Sequence, residues 1–180
     1  MVDILDAARY LIFLSYGRRK YSLTHLKLQK LLYLAQGWSF VWDDKEAFSD
    51  EFCAWQYGPV NEKVYENFKK YGRTEIPEYE GVDSVEDELV EDTLDSVWRE
   101  YGKMSAYELV ELTHKQSPWI DAYAHGNIIT NSSIRKYFQS TFWVDWILRK
   151  EALMGIAIKR IELENFKSYR ERQSIEFWNL

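Results

Sequence analysis

The stretch Leu28–Val60, LQKLLYLAQGWSFVWDDKEAFSDEFCAWQYGPV, decides how the chain is read. Its first half has helical spacing and its second half alternates aromatic and small residues. Thr24 is a suitable N-cap, so the spacing predicts a helix over roughly His25–Val41. At 100° per residue, Leu28, Leu31, Leu32, Leu34, Ala35 and Trp38 form one broad apolar arc. Gln29, Tyr33, Gln36 and Phe40 line up on the other side, with Lys30 and Gly37 alongside. That second face is neither plainly wet nor plainly oily. Two readings of it stay open: an internal face whose amides are hydrogen-bonded to a neighbouring element, and a surface turned to a partner. Asp43 and Asp44 open a loop, and Glu51–Tyr57 reads as an extended segment. Alternation puts Phe52, Ala54 and Gln56 on one side of it and Cys53, Trp55 and Tyr57 on the other. Gly58-Pro59 is a turn signal, with Pro59 suited to the first turn of the next helix.

Working outward, Asp3–Tyr16 has helical spacing, with Asp3 as cap and Gly17 at its end. After Pro59, Val64, Phe68 and Tyr71 continue a helical stripe that ends at Gly72, and Thr74–Pro77 is a candidate short strand. Residues 75–100 are strongly acidic, yet Val85, Leu89, Val97 and Trp98 give them an apolar helical stripe, with the acids expected on a solvated face. Ser105 and Glu108 form a capping box. Ser117-Pro118-Trp119 opens a short helix ending near Gly126. Ser132 or Ser133 caps another, with Ile134, Tyr137 and Phe138 facing inward, and Phe142, Trp143, Trp146 and Ile147 extend a helical pattern to about Leu153. Ile156, Ile158, Ile161 and Leu163, and then Ser174–Phe177, have strand patterning. The chain turns from acidic to basic near Lys150. The fold class expected is therefore mainly α (α+β): a compact helical domain over 1–149 with a small β-strand element, and a strand-like extension over 150–180.

The 180 residues carry a net charge of -6, which argues against a general nucleic-acid binder because phosphate binding needs a basic face. Arg18–Lys20 and Lys159–Arg172 are the basic segments available to such a role. One cysteine, Cys53, excludes an intramolecular disulfide and fits a reducing cytoplasm. The start MVDILDAARYL lacks a basic n-region, and no apolar run reaches membrane-spanning length. Chemistry is sparse. Glu111-x-x-His114 has the spacing of a di-iron ligand pair but no second such pair exists to complete it. No phosphate-binding loop, zinc-protease motif or nucleophile elbow occurs, so the reading is of a non-enzyme with no cofactor and no metal.

Two blocks carry a family resemblance: Leu28–Trp38, LQKLLYLAQGW, and Ala54–Val60, AWQYGPV, followed by Tyr65 and the helix end at Tyr71-Gly72. With Thr113–Lys115, Pro118-Trp119 and Tyr137-Phe138, the chain over about 3–139 resembles the Panacea domain of SocA-like and GepA-like bacterial and phage antitoxins. The resemblance implies a mostly helical domain that neutralises a cognate protein toxin by direct binding. It also implies, for some members, delivery of the toxin to a protease, and it names no catalytic residue. Many antitoxins bind their own promoters, which keeps a DNA-binding regulator as an alternative. Residues 156–177 resemble the opening strands of RecF, SMC and OLD-type ATPases, without the phosphate-binding loop that follows there. A truncated fusion, a gene overlap and a strand pair used for binding are all open readings of that segment. The partner-binding residues expected are Trp55, Gln56, Tyr57 and Tyr65 at the Gly-Pro hinge, and Gln29, Tyr33 and Phe40 on the mixed helix face.

Overall fold

A helix buried on every side organises the chain. In the computed structural model, which describes residues 1–17, 21–79, 83–142 and the backbone of 160–162 and 174–176, helix α2 is His25–Trp42. Sixteen of its eighteen residues are buried, so it has no solvated face. Thr24 caps it, accepting from Lys27 N. Around it pack α1 (Ile4–Tyr16), α3 (Glu62–Phe68), α4 (Glu88–Tyr101), α5 (Ala106–His114) and α7 (Asn131–Thr141). A helix apolar on one arc and polar on the other is ordinarily a surface helix. Here the polar arc is covered as well: Gln29, Lys30 and Gln36 are hydrogen-bonded inside, while the buried Tyr33 hydroxyl has no hydrogen-bond partner among the described residues.

The described residues hold seven helices and a small antiparallel sheet, a mainly α fold with a minor β element. The sheet has the order β2-β1-β3, from β1 (Phe52–Trp55), β2 (Gly58–Val60) and β3 (Ile128–Ile129). In the hairpin, Trp55 pairs with Gly58 and Ala54 with Pro59, leaving Gln56 and Tyr57 as a two-residue turn. This corrects the expectation for Gly58-Pro59. The pair forms the edge strand and not the start of a helix, and α3 begins after its own cap Asn61. Proline lacks a backbone donor, and an edge strand is where a sheet tolerates that. Gly58 has φ +94°, a conformation that favours glycine. β3 was not legible in advance: its two residues pair with Phe52 and Cys53 across more than seventy positions.

Local signals set most helix ends. Asp3 caps α1, Asp87 caps α4, and Ser105 with Glu108 makes both bonds of a capping box on α5. Helix α6 (Ser117–His125) starts at Ser117-Pro118. Helix α7 is capped by Thr130, which corrects the choice of Ser132 or Ser133; the helix starts directly where β3 ends. On α4 the inward residues include Val90, Leu94, Val97 and Trp98, whereas Leu89 is exposed. The candidate strand at Thr74–Pro77 reduces to one bridge, Thr24 to Glu75. Lys69–Tyr71 form one 3-10 turn after α3.

Strands β4 (Arg160–Glu162) and β5 (Ser174–Glu176) pair antiparallel as a separate two-stranded sheet, in line with the strand patterning read there. The helical pattern expected from Trp143 to about Leu153 and the basic segment Arg18–Lys20 lie outside the described residues. Among the described residues no helix is long and apolar enough to cross a membrane.

Candidate functional site

The two sequence blocks of Leu28–Val60 clasp each other. Asn61 N donates to Gln29 Oε1 at 2.8 Å, and Gln29 Nε2 donates to Asn61 O at 3.1 Å. The amide thus pairs with one residue's backbone as a strand neighbour would. Lys30 Nζ, with its side chain fully buried, donates to Pro59 O at 2.8 Å. Burial alone pulls this amine down to about 7. A Cβ at Gly58 would meet Lys30 Cε at 2.8 Å and Thr113 Oγ1 at 2.9 Å, so glycine is also what lets the hairpin sit on α2 and α5. About two helical turns on from Gln29, Gln36 Oε1 accepts from Ala47 N and Phe48 N, while its Nε2 donates to Phe48 O and Asn131 Oδ1. All four hydrogen-bonding positions of that amide are filled.

This decides the mixed face of α2 for its internal reading. Gln29, Tyr33 and Phe40 are each no more than 1% exposed. Tyr33 sits edge-on to Phe52 and Phe138, and the Arg135 guanidinium covers the Phe40 ring. The expectation that these three meet a partner is corrected: α1, α3, α4, α5, α7 and β2 enclose the helix, and no side chain on it is turned to a free surface at those positions.

The hinge-side residues are brought together at the surface. Gln56 and Tyr57 form the hairpin turn and are exposed, while Trp55 and Tyr65 are half-buried. Trp55 and Tyr65 pack edge to face at 4.7 Å, and Tyr65 lies 5.3 Å from the His25 ring. Trp119 Nε1 donates to Trp55 O at 3.0 Å. Trp119 in turn stacks between His114, at 3.9 Å, and Tyr123, at 4.8 Å. Tyr107, Ile120 and Tyr123 are exposed, at 63%, 46% and 53%, and extend this aromatic surface beyond the residues singled out by sequence. The signal that marks two of them is the spacing of Trp119, Ile120 and Tyr123, which share one side of α6. Tyr57, Tyr65 and Tyr107 wall a groove of about 480 Å³, with Leu26 and Thr24 beside them and Arg73 and Gly72 at its margin.

The titratable groups here are tuned for packing. Burial first, and Lys30 second, hold His114 below the usual imidazole range. Burial first, then Glu62, push the Cys53 thiol up, the opposite of what an activated nucleophile needs. Among the described residues no three His, Cys, Asp or Glu side chains are grouped to hold a metal ion.

Fold and surface together define a helical domain built round a clasped hairpin that displays aromatic side chains. The family described as Antitoxin SocA-like, Panacea domain, matches residues 28–120, and the chain belongs to that family. The matched span runs from Leu28, the residue before the clasp's Gln29, to the fourth residue of α6 and contains the whole hairpin. Antitoxin SocA of Caulobacter vibrioides (strain NA1000 / CB15N) is 31% identical over 120 residues, covering 58% of this chain and 61% of that protein, so the chain spans less than two thirds of that relative's length. No solved structure matches.

Proposed function

We propose that the chain is an antitoxin that neutralises a cognate protein toxin by direct binding, with Trp55, Gln56, Tyr57 and Tyr65 at the centre of the contact. Membership of a family described as SocA-like antitoxins supports the role. The observation that carries the surface is the gathering of exposed aromatics around the hairpin turn, with Tyr57 at 53% and Tyr107 at 63% exposure. Monomeric proteins seldom leave aromatics grouped in water, and Tyr and Trp dominate binding hot spots. The chain acts as a binding protein of the cytoplasm, and no catalytic step is assigned to it.

The test is co-expression with the product of the neighbouring open reading frame. That product alone arrests growth, the chain relieves the arrest, and the two co-purify. Tyr57→Ala removes an exposed ring and leaves the core intact. It weakens the complex by about 2 kcal/mol if the ring is a hot spot, with an unchanged urea midpoint. Undiminished toxin binding by both Tyr57→Ala and Tyr65→Ala would move the contact elsewhere.

A further inference from the structure

We infer that the groove between the hairpin turn and the start of α5 takes an extended peptide segment of the partner in which acidic side chains flank an aliphatic or aromatic one. The inference rests on the toxin-binding reading above and names the chemistry of what enters the site. The tyrosine-walled groove of about 480 Å³ shares Thr24 and Ala106 with a second groove of about 430 Å³. The two therefore adjoin, and together they are the channel in which the segment is placed. On one side of the shared residues stand the tyrosines and Arg73, and on the other stand Lys103 and Lys27. Arg73 and Lys103 are exposed, and neither makes an ion pair among the described residues.

Glu108 is the channel's one carboxylate, and it is already engaged by Ser105 N at 2.7 Å in the capping box. Two exposed cations, Arg73 and Lys103, thus line the channel against one committed acid, on a chain whose net charge is -6. An acidic segment is repelled by most of this molecule and attracted here, which gives both steering and register. The tyrosine walls between the cations suit an apolar side chain and offer their hydroxyls to a peptide backbone. A nucleic-acid strand fits less well. Lys27 Nζ is already turned to the carbonyls of Ser22 and Gly102, and the two exposed cations, set among tyrosines, do not make the continuous basic track that a phosphate backbone needs.

The experiment selects binders from a random 12-residue peptide library displayed on phage, using the full chain. The enriched peptides are then measured by fluorescence anisotropy. Enrichment of acidic peptides with interspersed apolar residues is expected, with affinity falling as salt rises. Arg73→Glu, Lys103→Glu and Tyr107→Ala each weaken them by about tenfold or more. Charge-reversed peptides should regain binding to the Arg73→Glu chain. Circular dichroism melts confirm that these exposed substitutions leave the fold intact. No enrichment, enrichment without acidic bias, acidic binders indifferent to all three substitutions, or displacement by a 12-nucleotide single-stranded RNA would each overturn the inference. Growth rescue separates the two readings. A chain that rescues growth but enriches no acidic peptide sinks the channel alone. One that binds acidic peptides in the channel but relieves no arrest sinks the antitoxin role alone.

Discussion

Lys30 is the residue whose energetics are least ordinary. Its ammonium is fully buried with one acceptor among the described residues, Pro59 O, and burial is the cause of its lowered pKa, about 7 against an ordinary 10.5. The sign follows from where the proton sits. Below pH 7 both folded and unfolded chains carry it, and the burial penalty is present in full. Between 7 and 10.5 the folded chain has lost the proton while the unfolded chain keeps it, so stability rises with pH. Lys27, lowered to about 8 by burial, adds a slope of the same sign that begins one pH unit higher. Urea midpoints at pH 6.5, 7.5 and 8.5 should climb for the wild type and climb less for Lys30→Met. Equal slopes in the two proteins would mean that Lys30 is not the titrating group. Gly37 poses a steric question instead. A Cβ there would lie 2.3 Å from the Phe138 ring, which is itself wholly buried. Gly37→Ala should cost about 2 kcal/mol from overpacking, despite alanine's better helix propensity, and Phe138→Leu in the same chain should recover part of it. At this scale the sequence was informative about caps. Asp3, Thr24 and the Ser105–Glu108 box act over two or three residues, and the chemistry is local. It was silent on Gly37, because the ring that excludes a side chain comes from about a hundred positions away.

Among the elements, α2 and the hairpin stand or fall together. Gln29→Ala leaves the Asn61 N–H and C=O, both in a residue only 3% exposed, without their side-chain partner. Each abandoned group costs about 1–3 kcal/mol, so the variant should lose about 3 kcal/mol in urea unfolding. Hydrogen exchange should quicken first at β2 and the start of α3, where the clasp acts. Exchange that quickens uniformly across the chain would mean that the clasp is not a local device. The apolar arc of α2 was readable from periodicity, and so was its N-cap. Its all-round burial was not. Lys27, Gln29, Lys30 and Gln36 look like a wet face until their acceptors are known, and those include Gly102, Asn61, Pro59 and Asn131, contributed by other elements and connecting segments. The same reasoning explains the candidate surface. The Trp55–Tyr57 turn was visible as an aromatic stretch beside a turn signal, but Tyr107, Trp119 and Tyr123 join it only because α5 and α6 fold back beside the hairpin.

At the scale of the whole molecule the question is what residues 150–180 add. Each buried core residue described lies at position 138 or earlier, and Phe142 packs on Trp38 at the rim of that core. Strands β4 and β5 pair with each other and not with the β2-β1-β3 sheet. A two-stranded ribbon on its own is marginal in water, so it is expected to add little to the stability of the helical domain proposed over 1–149. A chain ending at residue 149 should therefore unfold cooperatively at the same urea midpoint as the full chain, within about 0.5 kcal/mol, as for changes away from a core. Loss of cooperativity would place the domain boundary later than 149. The same fragment also divides two accounts of binding. If the hairpin surface carries the contact, the shortened chain still co-purifies with the toxin and still responds to Tyr57→Ala. If the basic extension wraps the toxin, the shortened chain folds but releases it, and Tyr57→Ala in the full chain changes affinity little. Salt does not separate the two, because binding in the cation-lined channel beside the hairpin weakens with ionic strength as a basic extension's would; the response to Tyr57→Ala does.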